Sequence, residues 1–317
     1  MSHCDIKIDF GCLDISFKHA QKKEVEINLD NFQAIEKVHL QFVRCDMLKN
    51  EPHPDVLSYI FRGPKKLADL IVSFDSQNFT SEGLLWLGNL IQNHVDNLKS
   101  FELILARCKF DKKSMQIICE GIIAKVKNLD SFALNLDSCQ IFDGELENLA
   151  KSLKQIYKNL EFFTLGLSKN RITDAGIHEI FEIIKSMEAL KGLELNLSST
   201  NISNESFKMF GESVLPSLKR LKYLLLFLTS SGISDEEFCT IVKNLPNLKG
   251  LNLRLSKTSL TDKAMEIFIG EVLPRLESLE YLSFRAEETQ INKANIQKIQ
   301  EISAELGKKK AIEIEIV

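Results

Sequence analysis

Two residues near the start of the chain have side chains that can form a catalytic pair. His39 lies six residues before Cys45, and a histidine that removes the proton of a thiol generates a strong nucleophile. The strand pattern described below, however, places His39 on the solvent-facing side of a strand and Cys45 on the inward-facing side, so the pair is poorly oriented. The sequence also has no G-x-x-x-x-G-K, G-x-G-x-x-G, H-E-x-x-H or G-x-S-x-G motif. We therefore expect no catalytic residues and no enzyme activity.

The seven cysteines are better explained by structure than by chemistry. They are odd in number, widely spread and without a C-x-x-C pair, which argues against zinc binding or redox exchange. Three of them share one position of a repeated pattern, the turn slot, where other repeats have a small polar side chain that can satisfy backbone groups. We expect reduced, structural thiols, no metal and no other cofactor. The turn slot is filled by Cys45, Cys108, Cys139, Asn170, Thr200, Ser231, Thr258 and Thr289.

The pattern that contains this slot recurs nine times along the chain. Its copies begin 27 to 32 residues apart, and such a period is typical of repeat proteins, in which each unit buries its apolar face by stacking on its neighbours. We therefore expect one elongated array rather than two globular domains. The copies begin at Ile35, Leu67, Leu98, Leu129, Leu160, Leu190, Leu221, Leu248 and Leu279.

Each copy begins with a strand pattern and continues with a helix pattern. In the fifth copy, Phe163, Leu165 and Leu167 alternate with other residues, as in a half-buried strand. Apolar residues then recur at helical spacing from Ile177 to Met187. Because all strands run in one direction, the pattern predicts an α/β solenoid with a parallel sheet on its concave side and helices on its convex side. One buried file should contain Leu165, Leu195, Leu226 and Leu253.

The two ends depart from the repeat and are predicted to cap it. Residues 1–34 should form an N-terminal cap with strands at 5–10 and 25–30, and residues 307–317 a C-terminal capping strand. Between them lie the nine repeats, 35–306, which end in a helix over 292–306. Three prolines and a glycine in 49–66 predict an irregular solvent-side connection, or alternatively a contact loop for a partner.

One stretch of the repeat resembles a known family. The pattern L-x-L-x-x-[N/C]-x-[I/L] is similar to that of cytosolic leucine-rich-repeat proteins of the ribonuclease-inhibitor type, and the resemblance extends from Ile35 to about Leu306. That family includes inhibitors, adaptors, Ran GTPase activators and scaffold subunits of cilia, so the resemblance implies a binding scaffold. No F-box-like segment precedes the repeats and no acidic run follows them, which argues against two of these roles. The pattern occurs at Leu134, Leu136, Cys139 and Ile141, and at Leu165, Leu167, Asn170 and Ile172.

Charge and composition give no indication of a polyanionic partner. Forty basic and 44 acidic residues give a formal net charge of −4, and no block of one sign is long enough for a nucleic-acid or membrane footprint. The first ten residues contain Asp5, Lys7 and Asp9, where a secretory signal needs an apolar core. We therefore expect a cytoplasmic protein that binds neither nucleic acid, membrane nor a small-molecule substrate.

The strand positions between the buried residues offer a candidate binding surface. In repeats five and six they are small or polar, as at Thr164, Gly166, Glu194 and Asn196. The later repeats have aromatic, leucine and arginine side chains, the composition of interface hot spots. A second interpretation stays open, in which the aromatic rings cover the end of the core and the arginines stack on them within the chain. The candidate residues are Tyr223, Leu225, Phe227, Arg254, Tyr281 and Arg285.

These observations favour one function and leave a second open. The first is a protein-interaction scaffold or adaptor that binds a partner on the concave sheet face, including as a structural subunit of a cytoskeletal or ciliary assembly. The second is a regulator of an enzyme, either a GTPase activator or an inhibitor that acts by occlusion. Accelerated GTP hydrolysis by a candidate GTPase would distinguish the second from the first.

Overall fold

The computed structural model describes residues 3–9, 12–18, 36–43, 67–76, 79–92, 97–110 and 113–309. The chain forms two compact units, an N-terminal unit of residues 1–140 and 147–160 and a C-terminal unit of residues 141–146 and 161–317. The predicted strand at 25–30, the Cys45 thiol, the 49–66 connection and the strand at 312–316 lie outside the described residues. That the whole chain is one continuous solenoid stays a prediction.

The described residues of the N-terminal unit form six neighbouring strands. The first two are antiparallel, and each of the others runs parallel to the strand before it. β1 overlaps the strand predicted at 5–10, but its partner is β2, a strand that the sequence pattern missed. The strands are β1 (His3–Asp9), β2 (Cys12–Lys18), β3 (Lys37–Val43), β4 (Asp69–Asp75), β5 (Ser100–Ile104) and β6 (Ser131–Asn135).

In the described part of this unit, helical segments follow β4, β5 and β6. The unit contains α1 (Ser81–Gln92) and the short α2 (Ser114–Gln116), which continues as a π-helix (Ile117–Ile122) and a 3-10 turn (Ile123–Lys125). α3 (Asp143–Leu153) and a 3-10 turn (Tyr157–Asn159) come after β6.

Within residues 161–309, the C-terminal unit has five parallel strands that pair in chain order. They are β7 (Phe162–Gly166), β8 (Gly192–Asn196), β9 (Tyr223–Phe227), β10 (Gly250–Arg254) and β11 (Tyr281–Arg285).

Helical segments alternate with these five strands. After β7 comes α4 (Asp174–Lys185), and after β8 come α5 (Asn204–Met209), a π-helix (Phe210–Val214) and α6 (Leu215–Ser217). The strands β9 and β10 are followed by α7 (Asp235–Lys243) and by α8 (Asp262–Ile267), whose continuation is a π-helix (Phe268–Val272) and a 3-10 turn (Leu273–Arg275). The predicted last helix is α9 (Lys293–Lys309). Strand and helix thus alternate as expected, and the fold is an α/β leucine-rich-repeat solenoid.

The register of the sheet confirms the predicted core. Leu165, Leu195, Leu226 and Leu253 are direct neighbours on successive strands, and each is at most 2% exposed. The inward side chains pack against the helical segments, as in the stacking of Phe284 on Phe268, whose ring centroids are 5.8 Å apart. Each such leucine stabilises the fold by about 1.5–3 kcal/mol through burial.

Strands β4–β11 end in the same turn. Three residues beyond the last solvent-facing strand position, a non-glycine residue has a left-handed backbone, as at Lys169 (φ 55°) and Ser199 (φ 55°). The turn slot follows directly. Thr200 Oγ1 donates to the carbonyl of Leu197 at 2.8 Å, and Asn170 Nδ2 donates to that of Leu167 at 3.0 Å. Thr258 and Thr289 form the same bond, which confirms the predicted structural role at these four repeats. The buried Ser231 Oγ has no hydrogen-bond partner, so the serine does not fill this role.

The two cysteines described in this slot also bond to the backbone. The Cys139 Sγ donates to the carbonyl of Leu105, in the preceding repeat, at 2.9 Å, and the Cys108 Sγ lies 3.7 Å from the carbonyl of Phe74. Both thiols are buried. They link neighbouring repeats within the N-terminal unit.

A ladder of carboxylates joins neighbouring repeats on the helix side of the C-terminal unit. The first residue of one helix accepts hydrogen bonds from the residue that caps the next helix. Asp143 accepts from the N–H and Oγ1 of Thr173 at 2.8 and 2.7 Å, and Asp174 accepts from the N–H and Oγ of Ser203 at 2.9 and 2.6 Å. The carboxylate thus satisfies a backbone donor and orients the capping side chain at once.

Candidate functional site

The residues of β7–β11 that alternate with the buried leucines form three columns, which together we call the open sheet face. Period-two alternation sends these side chains away from the buried leucines, and the strand register aligns them. The first column contains Phe162, Gly192, Tyr223, Gly250 and Tyr281. The middle column contains Thr164, Glu194, Leu225, Asn252 and Ser283. The last column contains Gly166, Asn196, Phe227, Arg254 and Arg285. In the middle column, Asn252 and Ser283 are themselves buried.

All six predicted site residues lie on this face, on the three adjacent strands β9–β11. Leu225 in the middle column is half-buried beside Glu194 and Asn252. Tyr223 and Tyr281 are separated by Gly250 in the first column. The sequence pattern therefore predicted their juxtaposition correctly, and their role in binding stays a prediction.

Arg254 stacks on Phe227 within the chain. The guanidinium carbon lies 4.5 Å from the ring centroid, a cation–π geometry. The Arg254 Nε is buried and has no hydrogen-bond partner. The arginine stacking that the second interpretation predicts is therefore observed for this pair, in which the arginine covers part of the phenylalanine ring. The stack also holds the guanidinium in place at the surface.

The first column contains aromatic rings that lie over glycines. An added Cβ on Gly192 would lie 2.6 Å from Cδ1 of Phe162, and one on Gly250 would lie 2.8 Å from Cδ1 of Tyr223. Each ring therefore extends sideways from its own strand and occupies the space that the glycine of the next strand leaves open. Phe162 and Tyr223 nevertheless remain 43% and 40% exposed. The rings are thus placed by the sheet and still reachable from solvent.

Phe162 corrects the sequence-based contrast between early and late repeats. Repeat five was expected to present no large side chain, because only its Thr164 and Gly166 positions were considered. Phe162, one pleat earlier, is a large exposed ring on the same face. The signal was present in the aligned repeats, where aromatic residues and glycines alternate at the first strand position.

An open depression of about 360 Å³ lies between these side chains. It extends the predicted site across β8 to β7. Its apolar walls are the aromatic rings and leucines, while Thr164 and Glu194 supply polar groups. The lining residues are Phe162, Phe163, Thr164, Gly192, Leu193, Glu194, Tyr223 and Leu225.

A row of charged residues precedes the first column. Lys191 pairs with Glu161 at 2.6 Å, and Lys249 pairs with Glu280 at 3.3 Å. Lys222 stands between these two pairs, directly before Tyr223; it is exposed and forms no ion pair with any described residue. The centre of this edge therefore carries an unneutralised positive charge.

The described residues offer little for catalysis or metal binding. His39 is on the solvent-facing side of β3 as predicted, but the position of its supposed partner Cys45 is not described. Burial raises the pKa of the Cys119 and Cys139 thiols to about 12, so neither is a thiolate at neutral pH. No group of three or more His, Cys, Asp or Glu side chains within the described ranges is arranged to hold a metal ion.

Comparisons with known proteins name no family for this chain. No model of a protein family matches it, and no curated protein matches it. Similar solved structures include a leucine-rich-repeat protein of Leptospira interrogans, with 18% identity and a TM-score of 0.36, which covers 89% of this chain and 67% of that one.

Two internalins of Listeria monocytogenes are also similar. Internalin inlF has 15% identity and a TM-score of 0.39, and covers 96% of this chain and 86% of its own. Internalin C2 has 15% identity and a TM-score of 0.36, and covers 76% of each chain. No function follows from similarities this low, and the fold assignment rests on the strand register and buried leucines described above.

Within the parts of the chain that the structure describes, none of the helices combines the length and the apolar character needed to cross a bilayer.

Proposed function

We propose that this protein is an interaction scaffold or adaptor that holds a protein partner against the open sheet face, without turnover and without a cofactor. One observation carries the proposal. Four large hydrophobic side chains among the described residues are exposed by 40% or more, and two of them, Phe162 and Tyr223, share the first column of this face. Exposed aromatic rings that the sheet holds in place are typical anchors of protein interfaces.

The remaining side chains of the face suit the same role. Leu225 adds apolar area beside Tyr223, and Arg254 is already oriented by its stack on Phe227. Arg285 is its neighbour in the last column. A partner segment with apolar and acidic side chains would bury the rings while its carboxylates pair with the arginines. The proposed site is therefore Tyr223, Leu225, Phe227, Arg254, Tyr281 and Arg285, extended by Phe162.

The proposal includes three finer statements. The repeats belong to the ribonuclease-inhibitor-like type, the protein acts in the cytoplasm, and a cytoskeletal or ciliary assembly is one setting in which the partner would be held permanently. It excludes nucleic acid, membranes and small-molecule substrates as partners, in keeping with a net charge of only −4 and interspersed signs. Regulation of a GTPase would use the same face and is tested separately by GTP hydrolysis rates.

Photo-crosslinking tests the location of the site. A crosslinking amino acid placed at Leu225 should capture a partner in cells, whereas one placed at the exposed Leu85 of α1 should capture no protein in common with it. The double substitution Phe227→Ala, Arg254→Ala should weaken binding of the captured partner by about 2 kcal/mol or more. Undiminished binding by this variant, with normal folding, would place the site elsewhere, for example on the helices.

A further inference from the structure

The aromatic residues of the first column recur on alternate strands. Phe162 is on β7, Tyr223 on β9 and Tyr281 on β11, with Gly192 and Gly250 between them. Neighbouring strands lie about 4.8 Å apart, so equivalent positions two strands apart are separated by about 9.6 Å. The glycines have no side chain, so the intervening positions do not project from the sheet, and the ring of the preceding strand lies over each of them. The first column therefore presents an aromatic ring on every second strand, and we call these three rings the aromatic row.

This spacing matches one class of extended ligand. A polyproline II segment rises about 3.1 Å per residue with three residues per turn, so every third side chain lies on one face about 9.3 Å apart. We propose that this row, as part of the proposed partner site, binds a proline-rich, acidic segment of the partner in polyproline II conformation, running across the strands. Such segments characteristically bind grooves lined by aromatic side chains, and their preformed backbone loses little entropy on binding.

Charge complementarity sets the acidic character of the ligand. Lys222 lies at the edge of the row, directly before Tyr223, and no described carboxylate neutralises it, while its neighbours Lys191 and Lys249 are paired. Across the face, Arg254 is held by its stack on Phe227. A carboxylate in the segment can therefore reach a cation beside the row. Rings can also stack on nucleic-acid bases, and the oligothymidylate probe below distinguishes that ligand from the peptide.

Fluorescence anisotropy with synthetic peptides and the full chain tests this assignment. The probe is fluorescein-labelled Pro-Pro-Glu repeated four times. Three further probes vary one property each: Ala-Ala-Glu repeated four times lacks the conformation, Pro-Pro-Lys repeated four times reverses the charge, and a twelve-residue oligothymidylate replaces the peptide. The Pro-Pro-Glu peptide should bind, and the other two peptides should bind at least about tenfold more weakly.

Variants of the chain locate the binding. Phe162→Ala or Tyr223→Ala should weaken binding of Pro-Pro-Glu about tenfold or more. Phe142→Ala removes a ring of similar exposure outside the row and should leave binding unchanged. Lys222→Glu should weaken Pro-Pro-Glu and strengthen Pro-Pro-Lys. Circular dichroism checks that each variant is folded.

Four results would overturn the assignment: no binding of Pro-Pro-Glu below about 1 mM, equal binding of Ala-Ala-Glu, no effect of either ring substitution, or tighter binding of the oligothymidylate. The crosslinking experiment at Leu225 separates this failure from failure of the scaffold role. If a partner is captured there and the peptide does not bind, the scaffold role stands and the polyproline II ligand is rejected. If no partner is captured at Leu225, the crosslinking experiment rejects the scaffold role, whatever the result with the peptides.

Discussion

Replacing Asp174 by alanine is expected to lower the free energy of unfolding by about 2–3 kcal/mol. Its carboxylate accepts from the N–H and Oγ of Ser203 and from the Oγ of Ser206. Ser203 is exposed, so water can replace much of what it loses. Ser206 is fully buried, and a buried hydroxyl left without its acceptor costs about 1–3 kcal/mol. Most of the expected loss therefore comes from Ser206.

Asp174→Asn is the matched control. It retains one acceptor oxygen for the Ser203 N–H, as the natural Asn204 does for the N–H of Ser234 at 3.2 Å. We expect it to cost about 1 kcal/mol, roughly half the effect of alanine. Urea denaturation at pH 7 followed by far-UV circular dichroism measures both, with an unchanged denaturant slope as the check on two-state behaviour. An alanine variant within 0.5 kcal/mol of the parent protein would refute the ladder as a stabilising element.

The same carboxylate predicts a pH dependence. Burial acts to raise the pKa of Asp174, but the hydrogen bonds from Ser203 and Ser206 outweigh it, and the pKa is lowered below its ordinary value of 3.8. The stabilisation is therefore fully present above that value and is lost as the pH falls through the lowered pKa. The difference between the parent protein and Asp174→Ala should shrink below about pH 4. A constant difference down to pH 2 would contradict this linkage.

Three further predictions concern the core, the turn slot and the first column. Leu195→Ala should destabilise the protein by about 2–5 kcal/mol in urea denaturation, because it leaves a cavity in the buried leucine file; a loss below 1 kcal/mol would contradict the register. Replacing Cys108 and Cys139 by threonine should change the unfolding midpoint little, since threonine fills the slot in other repeats. In the parent protein, mass spectrometry should find no disulfide at these cysteines, and metal analysis should find no bound zinc. Gly192→Ala should cost about 1 kcal/mol, because the added methyl group displaces the Phe162 ring. Gly270→Ala, with open space around the added carbon, should instead be neutral or slightly stabilising, and equal losses in the two variants would argue against the ring-on-glycine packing.

The buried parts of the repeats could be predicted from the sequence because their pattern occurs many times. A strand has a side-chain period of two, so each leucine at the spacing of Leu165 and Leu195 fixes the register of its neighbours. The order of strands and helices followed from this alternation. Because the pattern is repeated, the copies could be aligned with one another and compared position by position.

Two kinds of feature were harder to predict: segments without internal copies, and helical turns whose geometry leaves no mark on the hydrophobic periodicity. β2 lies in the cap, which no other segment repeats, so its pairing with β1 left no signal to compare. The π-helical turns at Phe210–Val214 and Phe268–Val272 were also missed. They occur in two segments of echoing sequence, GESVLP and GEVLP, so the echo was visible, but helix periodicity alone does not distinguish a widened turn from a regular one.

The site was predicted in part for a similar reason. The six candidate residues could be predicted because they combine large aromatic and leucine side chains with arginines, at strand positions that are small or polar in repeats five and six. Phe162 was missed although aromatic residues and glycines alternate at the first strand position, because hydrophobicity alone does not show that a glycine leaves room for the ring on the neighbouring strand.

The alternation of rings and glycines makes a pair of repeats the natural unit for lengthening this protein. The echoing segments at Gly211 and Gly270 also lie two repeats apart. An insertion of two repeats would add one ring and one glycine in phase, and the surface would then accommodate three more residues of an extended ligand. A single inserted repeat would set ring against ring, or glycine against glycine, at the junction. Related or designed proteins of different length should therefore differ by an even number of repeats. The length of ligand that the surface contacts would increase with the number of repeats.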